Sequence, residues 1–264
     1  MAAPALPTLL GPGDPAPFRV IEGRAGSEFL LTADHAGRII PRALADLGLG
    51  ASDLERHIAW DIGIGGVSER LAPQLGAFMI AQTYSRLVID CNRPLESPSS
   101  IASESEHTRI LANEGLSEAE RQARATEIFL PYHQRIEAEL ERRERAGEAV
   151  VLITMHSFTP CYKGVERPWL CGVLYNRDPR LALALLTLLR ADGLVVGDNQ
   201  PYFVSDDSDY GIPRYGEQRG HLHVELEIRQ DLITLPEQQA EWAERLGRLL
   251  PVAVQRVRRA QHQG

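Results

Sequence analysis

Lysine is almost missing from this 264-residue chain: of its 28 basic residues, all but Lys163 are arginines. Basic residues are also outnumbered by 36 acids, giving a formal charge of −8 and a pI near 5.5. That balance argues against a general nucleic-acid binder, which needs a net basic face to displace counterions from phosphates. It argues equally against a polybasic membrane-surface protein. Cysteine is scarce: Cys91, Cys161 and Cys171 form no CxxC pair, and an odd count makes no disulfide framework. They read as small buried residues of a reducing compartment. No apolar run approaches the ~20 residues that span a bilayer. The opening MAAPALPTLLGPGDPAP lacks a basic segment and is broken by proline and glycine, so residues 1–20 read as a flexible leader, not a signal peptide. A cytoplasmic protein with neither nucleic-acid nor membrane partners is the expectation. At 44% hydrophobic and 24% charged, the composition is that of a globular protein. One domain over residues 21–258 accommodates it.

What is present alternates strand and helix. Glu28–Ala33, Ala77–Gln82, Arg86–Cys91, Ala149–Met155, Leu170–Tyr175 and Leu222–Ile228 are aliphatic, β-branched runs. A short helix starting at Pro41 and longer ones over Gly66–Leu75, Ser117–Glu148, Pro179–Arg190 and Glu237–Leu250 separate them. Ser117 with Glu120 forms a capping-box pattern, and Pro131 should kink or split the long helix. Its end, EAELERRERAGE, reads as a solvated face. The alternation implies an α/β fold: a single domain whose central mixed, mostly parallel sheet is flanked by helices. The stretch Gly197–Gly220 has neither hydrophobic period and reads as a long ordered loop.

Residues able to do chemistry gather at the C-terminal ends of the predicted strands, where open α/β sheets place their sites. His35 follows EFLLTAD; Asp90, Asn92 and Arg93 close RLVIDCNRP; His156 and Ser157 follow VVLITM; Glu225, Glu227 and Arg229 lie in HVELEIRQD. Each has a plain alternative. A strand-end histidine can be structural, Asn-Arg-Pro can be turn chemistry, and Arg86 can be an ion-pair partner of Asp90. Their coincidence in one sheet points further. Two imidazoles and a carboxylate arriving from separate strands make an open zinc site, where the ion polarises a carbonyl and acidifies water while a free carboxylate moves the proton. His35, His156, an acid near Asp61 and Glu227 supply these parts. Spacing alone adds little: there is no HExxH, and HxxE fails because Arg38 stands three residues after His35.

The segments LLTADHAGRIIP, HIAWDIGIGGVSERL, TYSRLVIDCNRP, ITMHSFTP, GDNQPY and HVELEIRQDLI, in that order, resemble the N-formylglutamate amidohydrolase family from about residue 27 to 250. The resemblance implies a phosphorylase/hydrolase-like fold of the zinc carboxypeptidase and aspartoacylase kind. It also implies hydrolysis of an N-formyl or other N-acyl amino acid with one zinc ion (Zn2+). Carried onto this sequence, it makes His35, Asp61 and His156 the metal ligands, with Asp34 behind them and His57 either supporting a ligand or on the surface. Glu227 is the implied general base, with Glu225 its rival, and Arg86 the group that stabilises the oxyanion or pairs with Asp90. Asn92 and Arg93 bind the substrate carboxylate, Arg229 orients Glu227 or contacts substrate, and Tyr210, Arg214 and Arg219 contribute to a lid. His221 and His223 have surface or supporting roles. Two other readings are a zinc peptidase or cell-wall amidase, and a non-catalytic module that binds a small acid. The arginines at the predicted strand ends point to a small acidic N-acyl amino acid as substrate.

Overall fold

The aliphatic runs become strands and the amphipathic stretches become helices in nearly the expected order. In the computed structural model, which describes residues 8–263, the chain opens with β1 (Phe18–Ile21), β2 (Phe29–Ala33), the one-turn α1 (Ala51–Leu54), α2 (Ile64–Leu75) and β3 (Phe78–Gln82). A small hairpin, β4 (Glu104–Ser105) and β5 (Thr108–Arg109), precedes α3 (Glu118–Arg124) and α4 (Leu130–Arg145). Then follow β6 (Val151–Phe158), a second hairpin of β7 (Cys161–Tyr162) and β8 (Val165–Glu166), and β9 (Cys171–Leu174). The chain closes with α5 (Arg180–Ala191), β10 (Val196–Asp198), β11 (Leu222–Arg229) and α6 (Pro236–Gln263).

Seven strands form one sheet in the order β1-β3-β2-β6-β11-β9-β10. β2 is parallel to β3 and β6, β6 to β11, and β9 to β10. β1 against β3 and β11 against β9 are antiparallel. This is a single α/β domain with a mixed, mostly parallel sheet. Strand alternation sends Leu31, Ile153, Met155, Val224 and Leu226 into a core with α2, α5 and α6. Leu30, Leu152 and Phe78 face the other way, into a core with Phe129, Ile136 and Leu140. Both faces are covered, as continuous apolar strands require. The second face changes character along its length. In β6, Leu152 gives way to Thr154 and His156, and β11 sets Glu225 and Glu227 directly across from them.

Several expectations are corrected. Arg86–Cys91 is not a strand: it is a buried run of turns, because β1 and β2 already occupy both edges of β3. Its carbonyls are met by side chains instead, Leu87 O by Asn113 Nδ2 and Val88 O by Arg124 Nη1. The capping box at Ser117 is present. Pro131 stands at the first turn of α4, where its missing N–H costs least, and a π turn over Ala125–Phe129 divides the expected long helix into α3 and α4. The helix end is only partly solvated. Glu139 and Arg143 are buried and paired at 2.8 Å, and Arg143 donates to Ser27 O and Phe29 O beside the start of β2. α6 runs 13 residues beyond the Leu250 expected.

The leader reading fails from residue 8 onward. The Leu9 and Leu10 amides donate to the Glu127 carboxylate at 2.7 and 2.8 Å, Tyr84 Oη donates to Pro15 O, and β1 is an edge strand of the sheet. Residues 1–7 of that segment lie outside the described residues. Among the described residues, no helix is long and apolar enough to cross a membrane.

Candidate active site

A cavity of about 670 Å³ opens at the C-terminal ends of β2, β6 and β11. Parallel strands turn there into loops, so side chains just past the last sheet bond project into one space. His35 stands two residues past β2. Asp61 is brought beside it by a backbone bond from the Asp61 amide to His35 O, 2.9 Å. The chain then enters α2 through Gly63 at φ +80°, where a Cβ would meet Ile233 O at 2.1 Å. Only glycine fits that turn. His156 arrives from β6, in register with Glu227 of β11.

His156 Nδ1 lies 3.2 Å from His35 Nδ1 and 3.1 Å from Asp61 Oδ2, and His35 Nδ1 is 3.5 Å from the same oxygen. His35 Nε2 donates to Asp90 Oδ1 at 2.6 Å, so in the neutral ring Nδ1 keeps its lone pair and points at the other two atoms. His156 Nε2 faces Asp34 Oδ2 at 3.6 Å and Glu225 Oε2 at 3.9 Å. Asp34 is itself held by Tyr132 Oη, 2.6 Å from Oδ1. All three central residues are buried, and together they can hold a metal ion. Burial opposes charge on Asp61, yet the two imidazoles outweigh it and hold the carboxyl well below the usual range. Burial likewise opposes charge on His156, but Glu225, Asp34 and Asp61 raise its pKa well above the ordinary value.

Two further carboxylates line the same cavity. Glu227 is buried, and its Oε2 has no hydrogen-bond partner. Burial pushes its carboxyl well up, and repulsion from Asp61 and Glu225 adds to this against the pull of His156 and Arg86. Glu225 accepts from Thr154 Oγ1 at 3.1 Å, and burial with the nearby Asp209 charge raises it to about 7. Arg86 pairs with Asp90 at 2.6 Å and reaches 3.7 Å from Asp61 Oδ1. It therefore bridges a metal-candidate carboxylate and the one that orients His35.

Not every predicted residue joins this group. Asn92 and Arg93 line the cavity, but the Asn92 side chain is engaged by the irregular loop. Its Oδ1 accepts from the Tyr210 and Gly211 amides at 3.0 and 3.1 Å, and Nδ2 donates to Asp209. Arg93 Nη1 donates to the Asn92 and Ser208 carbonyls, while Nε and Nη2 make no hydrogen bond among the described residues. Arg229 stands outside the cavity. Being the last residue of β11, its guanidinium swings onto Asp231 and the carbonyls of Arg167 and Trp169. His57 lines the cavity 3.4 Å from Glu106, away from the metal candidates. Arg214 and Arg219 are tied to Glu137 and Glu144 of α4, Tyr210 packs at a tilt against His133, and none of the three lines the cavity. His221 pairs with Glu144 and His223 bonds the His221 carbonyl. Sequence reasoning missed the supporting group Tyr132. For Tyr132, 98 residues from Asp34, the sequence carries no signal.

Among proteins of known structure, the chain is similar to a gene product from Agrobacterium tumefaciens, at 37% identity and TM-score 0.91, covering 95% of this chain and 99% of that one. It is also similar to N-formylglutamate amidohydrolase from Ralstonia eutropha JMP134, at 22% identity and TM-score 0.66, over 93% and 99% of the two chains. No curated protein matches. The sequence model of the N-formylglutamate amidohydrolase family matches residues 27–234, a span that holds every residue of the cavity described above. The chain belongs to the N-formylglutamate amidohydrolase family, whose members are hydrolases acting on amide bonds.

Proposed function

We propose that the chain is a zinc-dependent amidohydrolase that cleaves the amide bond of a small acidic N-acyl amino acid such as N-formylglutamate. One observation carries the reading: three inward-facing ligand atoms stand beside a buried, partnerless carboxylate on the adjacent strand. Ligands held at ~2.0–2.1 Å around a tetrahedral ion lie about 3.3 Å apart, and the separations of 3.1, 3.2 and 3.5 Å bracket that value. Two imidazoles and one carboxylate, with space left in the cavity, are the donor set of catalytic zinc.

Bound by His35, Asp61 and His156, zinc would supply Lewis-acid polarisation of the acyl carbonyl and a lowered pKa for water at the site. The remaining work belongs to the chain. Glu227 accepts a proton as water adds to the acyl carbon, then returns it to the amine nitrogen as the C–N bond breaks. A carboxylic acid and a free amino acid result. Burial suits Glu227 to the second half, because a carboxyl with a raised pKa keeps its proton until the leaving nitrogen needs it. The first half needs the carboxylate form, which a cation held by the neighbouring ligands would favour. Arg86, fixed by Asp90, supports the negative charge that develops on the acyl oxygen. The free nitrogens of Arg93 offer a planar fork to the α-carboxylate, and Asn92 acts one step back by anchoring the loop at residues 209–211.

His156→Ala should release zinc and abolish hydrolysis of N-formyl amino acids; retention of both overturns the metal assignment. Glu227→Gln should keep zinc and lose turnover; unchanged turnover moves the base to Glu225. A panel of N-formyl and N-acetyl amino acids and short peptides separates this activity from a zinc peptidase or cell-wall amidase.

A further inference from the structure

One wall of the cavity carries positive charge that no carboxylate among the described residues neutralises. Lys163 sits at the tip of the β7–β8 hairpin, where Tyr162 pairs with Val165 and leaves Lys163-Gly164 as a two-residue turn. Both turn residues have positive φ, +49° and +78°. Such a turn favours Asn, Asp or Gly at its first position, so the single lysine of the chain stands where its backbone is strained, a condition that clusters at functional sites. It lines the cavity, with Nζ 5.5 Å from the Tyr162 ring centroid.

Behind it lies Arg167, only 9% exposed. Its Cζ is 4.8 Å from the Tyr162 ring, 4.7 Å from Tyr202 and 5.7 Å from Phe158. Neither Lys163 nor Arg167 has a carboxylate within 4 Å among the described residues; of the acids on the cavity's outer lining, Glu106 is engaged by Arg56, Asp209 reaches Arg93, and Glu104 has no cation within 4 Å. A buried guanidinium is costly unless an anion compensates it. Arg167 Nη1 donates to Tyr202 Oη at 2.9 Å. Because that oxygen accepts, the phenolic proton is free to donate into the cavity that Tyr202 lines.

We infer that this wall is a second anion subsite, in which Lys163 Nζ and the Tyr202 hydroxyl bind the side-chain carboxylate of the substrate while Arg167 positions Tyr202. This rests on the amidohydrolase reading above. Arg93 serves one carboxylate, and a dicarboxylic N-acyl amino acid needs a separate partner for its other one. A cavity of about 670 Å³ has room for both, lying within the ~300–1,000 Å³ range of sites that enclose larger ligands.

The test compares kcat/KM for N-formyl-L-glutamate and its neutral isostere N-formyl-L-glutamine. The unaltered enzyme should prefer the acid, and Lys163→Met and Tyr202→Phe should each cut that preference about tenfold, through KM and not kcat. Lys163→Arg should restore it, and Arg167→Lys should fall between Tyr202→Phe and the unaltered enzyme. An unchanged preference in both Lys163→Met and Tyr202→Phe overturns the subsite. If the unaltered enzyme hydrolyses neither compound, the amidohydrolase reading fails and calorimetric binding of glutarate decides the subsite alone. Binding about tenfold weaker in Lys163→Met supports it, and equal binding overturns it.

Discussion

His156 and His133 are both buried, yet they respond to burial in opposite ways. His156 is ringed by Asp34, Asp61 and Glu225, which raise its pKa well above the ordinary value although burial pulls it down. His133 sits among the rings of Phe129, Tyr210 and Tyr215, and burial drives it down to about 4. Its Nδ1 exchanges a hydrogen bond with Tyr215 Oη at 2.8 Å, and no carboxylate lies within 4 Å of it among the described residues. The difference shows that burial of a histidine does not by itself make a site. Carboxylates turned toward the ring make a place for a cation, and aromatic walls make a place for a neutral ring.

The largest effect should come on the cation-holding side. Glu227→Gln is expected to lower kcat by about 10²–10⁴-fold, the range for a positioned acid–base group, with zinc content unchanged; single-turnover kinetics alongside elemental analysis would read both.

On the aromatic side the expected effect is on stability. His133 has a folded pKa below its unfolded value of ~6.5, so the unfolded chain takes up the proton first. Stability is therefore complete above about pH 6.5 and lost as pH falls toward about 4, amounting to about 3 kcal/mol from this group. Denaturant titrations from pH 7 to 4 should show that slope flattened in His133→Leu, and an identical slope would remove the contrast between the two histidines.

A smaller effect belongs to the carboxylate behind His35. Asp90→Asn should weaken zinc affinity about 10–100-fold, as loss of an outer hydrogen bond to a ligating imidazole does. Competition with a chromophoric chelator measures it. No change would mean that Asp90 serves Arg86 alone.

The elements and the inner residues were legible because they leave local patterns. The aliphatic runs that became β2, β6 and β11 carry His35, His156 and Glu227 at or just past their ends, and strand alternation already put Glu225 and Glu227 on one face. What failed were judgements that depend on neighbours far along the chain. The run Arg86–Cys91 has strand composition, but no sheet edge was left for it. Arg229 has the alternation of Glu227, yet at the strand's last position its long side chain was free to turn toward Asp231. Asn92 does line the cavity, but its side chain anchors a loop 117–119 residues away, a contact the sequence does not announce. The groups that orient the histidines, Asp90 across 55 residues and Tyr132 through Asp34 across 98, leave no periodic trace. Lys163 was visible from composition alone as the one lysine, though not as a wall of the cavity.

The central claim is that the carboxylate-ringed histidine, and not the aromatic-walled one, belongs to a metal centre. It is tested most directly by zinc stoichiometry in the purified chain, in His133→Leu and in His156→Ala, each dialysed against the same zinc buffer. One zinc per chain in the first two and none in His156→Ala is the expected result. Stoichiometric zinc in His156→Ala, or none in the unaltered chain, would contradict it.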